Sequence, residues 1–169
     1  MSYAERIEHR NVMKNNFFVT SSILIATFLG SASQVLAVEQ KPALEDADVL
    51  KMASAARKAL AEQHINGCIV IADPDGVPLY VERQVNATPN CLSAALGKAK
   101  SAAIFKTDTN VSYEGLVKGE VHNLAVPDLS SNPGGVPLFV GKTVVGSIAI
   151  STPDGSKDLA VVHAAANAL

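Results

Sequence analysis

Two tight turns constrain this chain most. Asp73-Pro74-Asp75-Gly76 follows a continuous apolar run, Cys68-Ile69-Val70-Ile71-Ala72, and precedes a second extended stretch, Val77 to Arg83. Gly141-Lys142 separates Val136 to Val140 from Thr143 to Ser151. Pro-Asp-Gly supplies turn chemistry, and a glycine in the first central position suits a two-residue hairpin. Strands joined so tightly run antiparallel. The first run lacks polar alternation, which predicts a strand covered on both faces.

Helical patterns flank these hairpins. Leu44, Val49, Leu50, Ala53, Ala56 and Leu60 recur at three- and four-residue spacing and predict a helix from Ala43 to His64, stopped by Asn66-Gly67. A second helix is expected to start at Thr88-Pro89, with threonine as cap and proline in the first turn, and to run to about Phe105. Its face of Ala94, Ala95, Gly97, Ala99, Ala102 and Ala103 is small, which lets a helix lie close to a sheet or to a flat ligand. Thr109 to Lys118 reads as a shorter helix ended by Gly119, and His122 to Val126 as a further strand. Lys157 to Leu169 closes the chain as a helix capped by Ser156. The order is α-β-β-α-α-β-β-β-α, an α+β fold with a sheet of five strands and helices packed against it.

The N-terminal part has a different character. From Met13 the chain reads MKNNFFVTSSILIATFLGSASQVLA, with a positive start, an apolar core from Phe17 to Leu29 and a small-residue cleavage pattern at Val35-Leu36-Ala37. Residues 1–37 are therefore read as an N-terminal extension with a cleavable signal peptide, and 38–169 as the mature domain. The apolar core is too short and too interrupted for a membrane span. Export to the periplasm or beyond is the expected localisation. The mature part keeps 11 Lys+Arg and 14 Asp+Glu, a net charge of −3, and the chain has no Trp. It lacks the basic stripe and stacking platform of a nucleic-acid binder. Cys68 and Cys91 both survive maturation. They either pair in an oxidising compartment or sit as two buried thiols, and the sequence leaves both readings open.

No phosphate-binding loop, dinucleotide fingerprint or Gly-x-Ser-x-Gly elbow occurs. No catalytic residue is assigned; Cys91, near a helix start, is the one thiol with a route to reactivity. His64, His122 and His163 are the candidate ligands for a metal ion or a haem iron, with a solvated or helix-capping histidine as the alternative for each, followed by Tyr80 and Tyr113. Arg83 ends a strand and Lys98 lies mid-helix among small residues. Both could face one anion, with N–H donors added by Gly134-Gly135. Two surface cations lying over apolar neighbours is the alternative.

The runs A-x-P-D-G-V-P-L-x-x-x-x-R, G-K-A-K-S-A-A-x-F, P-G-G-V-P-L-x-V-G-K-T-V-V-G-S-I-A-I-S and the closing D-x-A-V-V-H-A-A resemble the GlcG/HbpS-type haem-binding family, which also includes the C-terminal domain of PduO-type proteins. The resemblance spans about Leu44 to Leu169. It implies a profilin-like α/β/α sandwich with a five-stranded antiparallel sheet, self-association to a homo-oligomer, and binding of haem or a related tetrapyrrole. Lys98, Gly134, Gly135, Pro137 and Arg83 match positions of the family pattern, and Ser101 stands where the family usually has threonine. These six residues are the ligand-binding candidates that the resemblance implies. The expected function is an exported haem-binding protein for sequestration, delivery or sensing. The alternatives are an enzyme acting on haem or a small hydroxy acid, and an interaction module with a vestigial pocket.

Overall fold

The computed structural model describes residues 42–126 and 128–169; the expected signal peptide lies outside them. Among the described residues four α-helices and four strands follow one another: α1 (Asp46–Glu62), β1 (Cys68–Ala72), β2 (Pro78–Arg83), α2 (Cys91–Phe105), α3 (Thr109–Val117), a 3₁₀ helix (Val121–Ala125), β3 (Gly135–Val140), β4 (Thr143–Ser151) and α4 (Gly155–Ala166). Among the described residues no helix is long and apolar enough to cross a membrane.

The strands form one antiparallel sheet in the order β2-β1-β4-β3. Both expected hairpins are present. Asp73 makes the first turn from both ends: its backbone N–H donates to Val77 O, and its carboxylate accepts from the N–H groups of Asp75 and Val77. β1 is central and buried throughout, as its unbroken apolar run predicts. Its register with β4 pairs Val70 with Ala149 and Ile71 with Ile148, so alternate residues of both strands share a face.

Each face has its own core. Ile69, Ile71, Ile148 and Ile150 meet Met52, Ala53, Ala56 and Leu60 of α1 and Val161, Val162 and Ala165 of α4. Cys68, Val70, Ala72 and Ala149 meet Cys91, Ala95 and Ala99 of α2. The molecule is thus an α/β/α arrangement with two helices on one side of the sheet and α2 on the other. The small face of α2 serves close packing. Ala95, Ala99, Ala102 and Ala103 are buried, and Ser147 Oγ of β4 donates to Ala99 O at 2.8 Å.

The expected five-stranded sheet is corrected to four strands. His122 to Val126 is not a strand: Val121–Ala125 forms a 3₁₀ helix. Val121, Leu124 and Val126 are all exposed. With Val121, Leu124 and Val126 facing solvent, these apolar side chains set no register, and the segment closes local turns instead of joining the sheet. Two helix starts also move. Pro89 belongs to a turn in which Cys91 N–H donates to Thr88 O, and α2 begins only at Cys91. α4 is capped by Asp154, not Ser156, because the Asp154 carboxylate accepts from the N–H groups of Ser156 and Lys157. Those bonds, the one from the Ser156 hydroxyl first, hold the Asp154 carboxyl below its ordinary pKa.

Cys68 and Cys91 form a disulfide. It joins the first residue of β1 to the first residue of α2, and both cysteines are buried. Closing a loop of sequence separation 23 stabilises the fold by about 3 kcal/mol in the chain-entropy treatment. The Cys68→Ala/Cys91→Ala double variant should lose about that much stability in urea unfolding. An unchanged midpoint and slope would show that the cross-link contributes nothing.

Candidate functional site

A cleft of about 610 Å³ opens where α2, α3, the Asn132–Pro133 loop and the start of α4 meet. Asn90, Ala94 and Lys98 line it from α2 and its preceding turn. Their four-residue spacing puts them on one helix stripe. Asn110 and Tyr113 line it from α3, and Ser151, Thr152, Ser156 and Leu159 from the β4–α4 junction.

Lys98 and Asp158 form the floor. Lys98 is 3% exposed and Asp158 1%. Lys98 Nζ donates to Asp158 Oδ2 at 2.7 Å and to Ile150 O at 3.1 Å. The other Asp158 oxygen accepts from Thr152 N–H at 2.7 Å. Burial pushes the Asp158 carboxyl above its ordinary pKa, against the opposing pull of the Lys98 ammonium and the Thr152 donors.

The glycine loop packs against this pair. Gly134 has φ +108°, and a Cβ there would lie 2.6 Å from Asp158 Cβ and 2.7 Å from Ile150 O. A Cβ on Gly135 would lie 2.6 Å from Lys98 O. Glycine is required at both positions by close approach, and at the first by backbone conformation as well. Thr109, buried at the start of α3, ties the loop down: its hydroxyl donates to Asn132 O at 2.6 Å and accepts from Gly135 N–H at 3.0 Å. Ser101 Oγ donates to Gly97 O and accepts from Ser130 N–H at 2.6 Å.

Of the expected site residues, Lys98, Ser101, Gly134 and Gly135 are gathered around this loop, and Lys98 also lines the cleft. Arg83 does not line the cleft that Lys98 lines. Arg83 donates to Ala87 O in the β2–α2 connection, and the charge of Lys98 is met by Asp158. Pro137 lies on β3 opposite Ser147. It lines a second cleft of about 470 Å³ with His163, Phe139 and Asp108. The histidines stay apart. His163 Nε2 is 3.3 Å from Asp108 Oδ2; His64 is exposed with φ +51° just past α1; His122 is exposed in the 3₁₀ helix. Among the described residues no three metal-ligating side chains cluster.

Sequence reasoning missed Asp158 and Thr109. The signal for Asp158 was a single carboxylate in a closing segment whose next residues are Leu159, Ala160, Val161 and Val162. A charge beside so apolar a face needs a partner.

The domain is thus defined as an α/β/α sandwich whose glycine loop is clamped over a buried lysine–aspartate pair. Residues 44–167 match the family model described as "Haem degrading protein HbpS-like". The chain belongs to this HbpS-like family, in agreement with the resemblance carried by its motifs. Over 83 residues it is 31% identical to Protein GlcG of Escherichia coli (strain K12), a match covering 49% of this chain and 62% of GlcG. The chain thus spans less than two thirds of that relative. The fold is shared with a double mutant of HbpS from Streptomyces reticuli, at TM-score 0.71 and 24% identity over 77% of this chain and 89% of that one. It is also shared with protein ORFY of Klebsiella pneumoniae, at TM-score 0.71 and 22% identity over 76% and 92%. A PduOC:heme complex matches at TM-score 0.69 and 21% identity over 76% and 96%.

Asp158→Asn strands the Lys98 ammonium in the interior and should cost about 3–5 kcal/mol of folding stability. The double variant Lys98→Met/Asp158→Leu should recover most of that loss, because a matched apolar pair needs no desolvated charge. A double variant as unstable as Asp158→Asn would contradict this account of the floor.

Proposed function

We propose that this protein is an exported haem-binding protein that holds haem, or a related tetrapyrrole, in the larger cleft for sequestration, delivery or sensing. The cleft carries the reading. Its volume of about 610 Å³ lies in the range typical of sites for ligands of this size. Ala94, Tyr113, Pro133 and Leu159 offer apolar surface to a flat ring, and Asn90, Asn110, Asn132 and Ser156 offer neutral donors to its carboxylates. With the Lys98 charge committed to Asp158, these neutral groups hold the acidic edge of the ligand. The residues therefore fit the group, and bound haem would supply a redox-active iron. Membership of the HbpS-like family and the fold shared with a PduOC:heme complex support the same ligand.

Export is supported by the leader pattern ahead of Val38 and by the disulfide, a bond that persists in oxidising compartments. Self-association is supported by the exposed apolar residues on both sheet edges, Val77, Leu79 and Val81 beside or within β2 and Phe139 and Val140 on β3. The family description favours one further reading, turnover of haem. In that case the bound Soret band should disappear on adding a reductant in air, with a bilin-like product.

Titrating purified protein with haem should give a shifted Soret band that saturates at a fixed stoichiometry. No shift at stoichiometric haem sinks the binding reading. In a host with a general secretion system, the exported fraction should contain a chain beginning near Val38 by mass spectrometry; a full-length chain confined to the cytoplasm would overturn the export reading.

A further inference from the structure

We infer that Tyr113 is the side chain that ligates the iron when haem occupies the larger cleft, an assignment that rests on the haem-binding reading above. Iron in a porphyrin is held by His, Cys, Met or Tyr, and the described residues of those types can be placed one by one. His64 and His122 line neither of the two clefts described, and His163 lines the other one. Cys68 and Cys91 are consumed by their disulfide. Met52 is fully buried in the α1 core. Tyr80 lies among the residues packed against α1 and α4, and its hydroxyl is engaged by Arg57 and Glu82.

Tyr113 differs on each count. It lines the cleft and is 41% exposed. Its hydroxyl makes no hydrogen bond to another described residue. It sits one turn after Asn110, which faces the same cleft. α3 itself is anchored to the facing loop through Thr109, Asn132 and Gly135, so the ring stands on a fixed wall.

The chemistry follows from the donor. A phenolate is a hard anionic oxygen, suited to ferric rather than ferrous iron. As the oxygen–iron bond forms, the phenolic proton passes to water and no electron moves. The site is therefore selective for the oxidised ligand.

Two probes separate a ligand from a mere wall contact: hemin and metal-free protoporphyrin IX, each titrated into the wild-type protein and Tyr113→Phe. The wild type should bind hemin with the visible charge-transfer absorption of phenolate-bound ferric haem. Tyr113→Phe should lose that band and bind hemin about tenfold or more weakly. Both proteins should bind protoporphyrin IX with affinities within about twofold, and Tyr113→His should restore tight hemin binding with an altered spectrum. Tyr113 is outside both cores, and circular dichroism checks that the fold is kept. An unchanged hemin spectrum in Tyr113→Phe overturns the assignment. So does an equal loss of affinity for both porphyrins. If the wild type binds neither probe, the haem-binding reading itself falls, and this assignment with it.

Discussion

The ion pair between Lys98 and Asp158 holds the cleft together. It joins the middle of α2 to the first turn of α4, takes in the last strand through Ile150 O, and fixes the β4–α4 turn through Thr152 N–H. Gly134 then fits into the space the pair leaves. Two desolvated charges contribute little net stability beside a well-packed apolar pair. What they impose here is geometry. Each oxygen of the carboxylate has its own donor, so α4 can start in only one place relative to α2.

The position of α2 is fixed three further times along its length. The disulfide holds its first residue, Ser147 holds the carbonyl of Ala99, and Ser101 holds Ser130. Its alanines let these contacts form by bringing the helix backbone close to the sheet. The wall carrying Asn90, Ala94 and Lys98 is consequently rigid before any ligand arrives. A preformed wall loses little freedom on binding, which favours affinity.

Much of this fold was readable from local chemistry. The two hairpins follow from Asp73-Pro74-Asp75-Gly76 and Gly141-Lys142, and the buried central strand from its apolar run, because each depends on residues adjacent in the chain. The Gly134-Gly135 loop announced an unusual backbone for the same reason. The segment from His122 to Val126 misled because so short an apolar stretch has no period to betray its conformation, and its Leu124 and Val126 face solvent. Lys98 was legible as important but not as paired: its partner lies 60 residues away, and nothing near either residue encodes the meeting. Arg83 sits at a strand end as expected, and it donates to a backbone carbonyl four residues on. The sequence left open whether Arg83 and Lys98 share an anion or lie as two surface cations. The larger cleft lies above the Lys98–Asp158 pair, with amides and a phenol at its surface.

The distance along the chain between Lys98 and Asp158 has a temporal side. Contacts of such long range close late in folding, after local hairpins and helices have formed. A nascent polypeptide still missing α4, the last described helix, owns two walls and no floor. The crevice is therefore closed from below only once α4 has been made and has packed, so a molecule still lacking that helix holds no half-made cavity.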